Sequence, residues 1–311
     1  MSHTIYPIGN VGQPWGDAEK ALWLQQQQIK RSYQQQVVSV IGQLASELST
    51  VAELCQYGEI DYQPLGYPKY PLFAFKSRNW QANKPLVLVT GGVHGYESSG
   101  VFGALQFVRE HFAHYSQQVN LLVLPCISPW GFETINRWNP LAIDPNRSFT
   151  EQSGSAEAAA VLALVKTFPT PLVHVDLHET TDSDNSEFRP AKAARDGTIN
   201  TNWNIPDGFY LVGDSDNPQP EFQAAIIAKV AKVTQIAPAD EHGCLIGEKL
   251  QQFGVINYPK KALFLCGGMT DATFVTTTEV YPDSPNTSVV SCNQAQVMTV
   301  CSAIDFALAT C

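Results

Sequence analysis

The sequence predicts an α/β fold, a mixed and mostly parallel sheet flanked by helices, and three observations predict it. Apolar runs of strand length alternate with helical stretches along the chain. The runs at 85–90 and 119–125 are apolar almost throughout, as strands buried on both faces are. No shift in composition marks a linker and no repeat interrupts the alternation.

The elements follow in order. Segment 17–51 is rich in Gln, Leu, Ala and Lys, with no proline and only Gly42 to interrupt it, and reads as one helix or two separated near that glycine. Its glutamine runs are interleaved with Leu22, Leu24, Ile29, Val37, Val38 and Ile41, which favours an amphipathic helix over low complexity. Short strands are expected at 58–62 and 71–76, then the buried strand at 85–90. Gly91 and Gly92 follow it, and a helical pattern runs through Val101, Phe102, Leu105, Phe107 and Val108. After the strand at 119–125 comes a long irregular stretch, 128–149. A helix at 156–166, a strand at 172–178 and a second long loop at 179–207 are expected next. Loops of that length inside compact domains usually carry function. The remainder reads as strand 209–213, helix 221–233, strands 262–265 and 273–280, and helix 295–309. One compact unit is expected, with 1–80 as a helical and strand extension packed on a core formed by 81–311.

Composition narrows the function. The chain has 311 residues, 44% hydrophobic and 15% charged, with a formal net charge of -10. It is long enough to bury a substantial core. The negative balance argues against nucleic acid as a partner, since phosphate binding needs a basic footprint. Seven cysteines occur without any C-x-x-C pair, so neither a zinc ribbon nor a redox motif is suggested. The first residues lack a basic stretch leading into an apolar one, and no run approaches membrane-spanning length. A cytoplasmic, reduced setting without a membrane partner is the expectation.

The chemistry concentrates at two strand ends. His94-Gly-Tyr-Glu97 directly follows the strand 85–90, where ligands collect in open α/β sheets. The glycines permit a sharp turn there, and a three-residue spacing lets an imidazole and a carboxylate converge. A surface histidine and a helix-capping glutamate would share that spacing. The second element is Leu172–Glu179, Leu-Val-His-Val-Asp-Leu-His-Glu. On a strand, His174, Asp176 and His178 fall on one face, with His178 at the end. Asp176 is placed to orient a ligating histidine, although a half-buried strand with hydrogen-bonded polar residues would also look this way. His94, Glu97 and His178 together make the His2Glu set of a catalytic zinc site with one position open to water.

With these residues in view, the sequence resembles the M14 zinc carboxypeptidase family, including its succinylglutamate desuccinylase and aspartoacylase branch. The resemblance spans roughly 85–280 and rests on ordered motifs. These are His94-x-x-Glu97, Ser128-Pro-Trp-Gly131, Arg137-Trp-Asn139, Asp144-Pro-Asn-Arg-Ser-Phe149, Asp176-Leu-His178 and Thr278-Glu279. It implies a zinc carboxypeptidase-like catalytic domain over 81–311 and one Zn2+ per chain held by His94, Glu97 and His178. It implies Arg137 as the cation that stabilises the oxyanion and Glu279 as the general base. Asn146 and Arg147 would grip a substrate carboxylate, and Asp144 would orient His94. The implied activity is hydrolysis of an amide beside a free carboxylate in a small peptide. The alternatives are N-acyl amino acid deacylation and a zinc-binding module without catalysis. Retention of Glu279 argues against the last.

Some features depart from the family pattern. A tyrosine that closes over substrate is expected shortly before a Gly-Gly loop. Here the loop is Cys266–Asp271, Leu263 stands at the alignable position, and Tyr258 is displaced. Thr270 falls near the residue that lines the side-chain pocket, and its neutrality argues against basic C-terminal residues. The acids Glu179, Asp182, Asp184 and Glu187 read as a solvated loop in preference to a site for an amine-bearing substrate, His111 and His114 as a chance surface pair, and His242 as a loop residue without a partner.

Overall fold

The structure is a computed structural model that describes residues 6–310, so His3 and Cys311 lie outside the described residues. The chain begins with helices α1 (Asp17–Gln25) and α2 (Ser39–Glu47), then strands β1 (Ala52–Asp61), β2 (Lys69–Ser77) and β3 (Leu86–Gly91). Helix α3 (Ser98–Tyr115), strand β4 (Asn120–Leu124) and helices α4 (Pro129–Thr134) and α5 (Ala156–Val165) follow. Next come β5 (Val173–Glu179), α6 (Arg189–Asp196), β6 (Tyr210–Asp214) and α7 (Pro220–Val230). A small ribbon of β7 (Cys244–Leu245) and β8 (Glu248–Lys249), then β9 (Val255–Tyr258), β10 (Phe274–Val280) and α8 (Val289–Thr310) complete it.

Eight strands form one sheet in the order β1-β2-β4-β3-β5-β10-β6-β9. Its centre, β4-β3-β5-β10, is parallel, while β1, β2 and β6 run antiparallel to their inner neighbours. The expected mixed, mostly parallel sheet is therefore present. Its central strands are buried on both faces, which is why their sequences are so continuously apolar. Leu86, Leu88, Leu122 and Leu124 pack toward α5 residues Ala158, Val161 and Val165. Val87, Val89, Leu121 and Val123 point the other way, into the larger core shared with α3, α7 and α8. The residues expected to form an extension join the same architecture. β2 pairs with β4, and Trp23, Tyr33, Val37 and Ile41 belong to that larger core.

Three expectations are corrected. The helical segment 17–51 breaks at 26–32, and Gly42 lies inside α2. The break has a tertiary cause. The N–H groups of Lys30 and Arg31 donate to the Glu133 carbonyl (2.7 and 3.0 Å), and that of Tyr33 donates to Glu133 Oε1 (2.8 Å). Residues 262–265 form a turn, since the N–H groups of Leu263 and Leu265 bond back to the carbonyls of Pro259 and Lys260. The neighbouring strand is β9, whose pairing with β6 the sequence reading missed. Finally, both long loops contain helix, α4 in the first and α6 in the second. Among the described residues no helix is long and apolar enough to cross a membrane, and the cysteines are free thiols.

Candidate metal centre

The site lies where strand order reverses. From β3 the chain crosses through α3 to β4 on one side, while β5 lies on the other, so the carboxyl ends of β3 and β5 open into a crevice. The turn leaving β3 is tight. Gly92 has φ +61°, in the left-handed region, and a Cβ on Gly95 would collide with the backbone of Gly131 and Phe132. The Ser128-Pro-Trp-Gly131 motif thus supplies the small residue against which the His94 turn closes.

Glu97 stands at the N-cap position of α3, yet its side chain makes no capping bond. It turns inward instead, between two histidines. Its Oε1 is 2.6 Å from His94 Nδ1 and its Oε2 is 2.7 Å from His178 Nδ1. On their far sides the rings meet carboxylates: His94 Nε2 is 3.1 Å from Asp144 Oδ1, and His178 Nε2 is 3.0 Å from Asp176 Oδ2. The helix that Glu97 leaves uncapped is served from β5, where Glu179 accepts the Ser99 N–H.

This arrangement fits a cation held between Glu97 and the two Nδ1 atoms. A neutral histidine that donates Nε2–H to a carboxylate has its lone pair on Nδ1. Two such lone pairs directed at one carboxylate repel unless a proton or a metal lies among them. The ligand atoms of His94, Glu97 and His178 lie within 4.8 Å of one another, and this is the one such group among the described residues. All three side chains are buried. Two imidazole nitrogens and one carboxylate suit zinc.

The electrostatics favour positive charge at the same point, whether carried by a proton or by a metal. Burial opposes the charge on Glu97, but His178 and His94 outweigh it and bring the carboxyl down to about 2. Burial likewise opposes a charged His178, and Glu97 and Asp176 together hold it well above the ordinary histidine value. Asp144 resists burial through Arg137 and His94 and stays well below the usual carboxylate range. A continuous chain of contacts thus runs Arg137–Asp144–His94–Glu97–His178–Asp176.

The other expected residues distribute unequally. Glu279, in register with His178 across the β10–β5 pair, lines the same cavity and accepts the Thr180 hydroxyl on Oε2 (2.9 Å). Burial, reinforced by Glu97, pushes its carboxyl up to about 8. Arg137 donates Nε–H to Asp144 Oδ2 (3.0 Å) and lines the cavity. Asn146 and Arg147 line it too. Asn146 Oδ1 accepts the Cys266 N–H (2.8 Å), and Arg147 Nη1 donates to the Asn146 carbonyl (2.7 Å). Asp176 sits behind His178, and Thr90 donates to its other oxygen at 2.7 Å. Thr270 is the exception. Its hydroxyl lies 3.3 Å from His174 Nδ1, and it is not among the residues lining the cavity. The sequence position that suggested a pocket residue therefore meets His174 and does not line the pocket.

Sequence reasoning missed several groups. The cavity, about 290 Å³, is also lined by Tyr96, Glu179, Asp184, Arg189 and Tyr258. Tyr96 donates to Asp184 (2.8 Å), so that acid is buried structure and not a solvated loop residue. Tyr258 reaches the cavity from the end of β9, despite its displaced position in the sequence. Behind His178, Gln296 of α8 donates to the His178 carbonyl (2.9 Å) and accepts the Thr278 hydroxyl (2.6 Å). No local motif announces that residue. Among the described residues, His111, His114 and His242 join no cluster that could hold a metal.

A mixed sheet with a His-Glu-His cluster at the carboxyl ends of its central strands is the architecture of carboxypeptidase-like hydrolases. Residues 83–199 match the succinylglutamate desuccinylase/aspartoacylase catalytic domain, and the family resemblance read from the motifs is borne out. Solved structures share the fold. A protein of Shewanella amazonensis described as a candidate metallopeptidase superposes with a TM-score of 0.67 at 18% identity, over 90% of this chain and 98% of that one. A metallo-carboxypeptidase of Burkholderia cenocepacia gives 0.60 at 14% identity, over 96% and 70%. A metallo-carboxypeptidase of Pseudomonas aeruginosa, in complex with (2-guanidinoethylmercapto)succinic acid, gives 0.55 at 15% identity, over 86% and 68%. No curated protein matches the sequence.

Proposed function

We propose that the chain is a zinc-dependent hydrolase that cleaves an amide bond beside a free carboxylate. The observation that carries this reading is the paired geometry of the two histidines. Each turns Nδ1 toward Glu97 while a buried carboxylate holds its Nε2. That is how proteins fix and sharpen metal ligands. Zinc held by His94, Glu97 and His178 would supply Lewis acidity and lower the pKa of water to about 7.

The remaining steps belong to the chain's own side chains. Glu279 is the general base. Its Oε2 is anchored by Thr180, and burial raises the carboxyl above its ordinary value, which strengthens its carboxylate as a proton acceptor and suits it to return the proton to the leaving amine. Arg137, fixed through Nε to Asp144, lines the cavity, where it stabilises the developing oxyanion. Arg147 takes the substrate carboxylate, because a planar, permanently charged fork matches its two oxygens, and Asn146 adds an amide donor.

A second reading keeps this chemistry and changes the substrate to an N-acyl amino acid. The match of residues 83–199 to the desuccinylase/aspartoacylase catalytic domain favours it. A parallel screen of short peptides and N-acyl amino acids with the zinc-supplemented protein separates the two. Hydrolysis confined to peptides or to acyl amino acids selects one of them. Failure to hydrolyse either class, with zinc bound, would contradict both.

A further inference from the structure

Helix α6 takes part in the walls of two cavities. Arg189 and Lys192 line the metal cavity, Pro190 and Ala193 line a second one, and Asn200 in the loop that follows lines both. The second cavity, about 140 Å³, lies between α6 with its following loop and the segment 6–12, where Tyr6, Ile8, Val11, Ile199 and Trp203 complete it. None of the residues that line it is charged. The segment is tied down, so the pocket is preformed. The Trp15 N–H donates to the Arg195 carbonyl (2.9 Å), Trp15 Nε1 to the Ile8 carbonyl (3.2 Å), and the Tyr6 hydroxyl to Glu187 (2.9 Å). The Asn200 amide donates to the Asn202 carbonyl (2.7 Å). Two of the aliphatic walls face water: Val11 is 69% exposed and Ile199 is 77% exposed.

We infer that this pocket is a subsite of the metal cleft and takes an apolar group, a branched or short aliphatic chain or a single aromatic ring, from the acyl side of the substrate. The inference rests on the hydrolase reading proposed above and adds to it the class of acyl group. In that reading the amine part of the substrate ends at the carboxylate held by Arg147, so it does not extend further. Only the acyl part continues past the scissile bond, and at Asn200 the wall of the metal cavity becomes the wall of the second pocket. Size sets the group: a cavity of about 150 Å³ with apolar walls holds one benzene ring. Chemistry sets it as well. An apolar group that enters shields Val11 and Ile199 from water along with itself, whereas a charged one would lose its hydration and find no partner.

The test is a series of N-acyl amino acids, from acetyl through butanoyl and hexanoyl to octanoyl, titrated by calorimetry into the zinc-loaded Glu279→Gln protein, which should bind without turnover. The series is made on both L-alanine and L-glutamate, so the outcome does not depend on the side chain beside the carboxylate. Affinity is expected to rise by about 3- to 4-fold for each methylene that enters the pocket, and to level off once it is full. Ala193→Leu, which narrows the pocket, and Ile199→Ser, which strips its rim, should flatten the series toward the acetyl value. Where Ala193→Leu folds poorly, Ile199→Ser decides, because that side chain already lies in water. Constant affinity from acetyl to octanoyl would overturn the inference, and so would a rise that survives both substitutions, since the chain would then bind elsewhere. A dimer in solution that Ile199→Ser dissociates would seat a second copy in the pocket and overturn it too. Equal affinities along the series that all fall in Arg147→Ala reject the subsite and leave the hydrolase reading intact. No binding of any member, acetyl included, rejects that reading and the subsite with it.

Discussion

His174 and His178 lie four residues apart on β5, on the same face and equally buried, yet their surroundings give them opposite chemistry. His178 stands at the carboxyl end between Glu97 and Asp176, and their charges overcome its burial. His174 lies two pleat repeats inward, among hydroxyls: Thr90 Oγ1 at 3.1 Å and Thr270 Oγ1 at 3.3 Å. Burial pushes it down to about 4, with Asp176 only partly offsetting, so it is a neutral core histidine near pH 7. Position on the strand makes both available. The carboxylates that approach only the open end of the crevice decide which one is a candidate ligand.

The comparison can be broken first at His178. His178→Ala should abolish stoichiometric zinc binding and with it hydrolysis. It should also destabilise the fold by about 3–5 kcal/mol, because the buried carboxylates of Glu97 and Asp176 lose their partner. Metal analysis and thermal unfolding check both effects. His174→Gln, by contrast, should retain zinc. The next largest effect is expected on β10, in register with His178. Glu279→Gln should keep zinc and lower kcat by about 10²- to 10⁴-fold, the usual range for general acid–base groups. Activity within a few-fold of wild type would remove Glu279 from the mechanism. Arg147→Ala reaches further from the metal and should raise KM for carboxylate-bearing substrates by about 10- to 100-fold with a smaller change in kcat.

The smallest effect separates the two histidines by pH. For His174 the folded pKa, about 4, lies below the unfolded value near 6.5. The unfolded chain therefore binds the extra proton in that window, and stability falls as pH drops from about 6.5 to 4, by up to about 3 kcal/mol. His174→Gln should flatten that limb of an unfolding-versus-pH curve. His178 in the metal-free protein has the opposite sign. Its folded value is raised, so its contribution is complete below the unfolded value and is lost as pH rises through the folded one. Identical pH profiles for wild type and His174→Gln would mean that the environment of His174 is misassigned.

What could be read from the sequence was what local periodicity encodes. The alternation Val173–Glu179 fixed the shared face of His174, Asp176 and His178, and a glycine turn after an apolar strand placed His94 and Glu97 together. It did not distinguish the inner histidine from the outer, because the distinction depends on Glu97 and the absence of a second carboxylate inside. Arg189, Tyr258 and Gln296 were missed for a related reason: each arrives from an element whose approach is set by tertiary packing. The break in the first helix has its cause in Glu133, 100 residues from Tyr33. Residues 262–265 have strand-like composition, but their N–H groups are satisfied locally and never enter a ladder.

The central claim is that the carboxyl end of β5 and the turn after β3 form one metal site. Zinc content measured on purified wild type and on His178→Ala, with His174→Gln as the internal control, tests it most directly. The expected result is close to one zinc per chain in wild type and in His174→Gln, and none retained in His178→Ala. Stoichiometric zinc surviving in His178→Ala, or full hydrolytic activity in wild type stripped of metal, would contradict it.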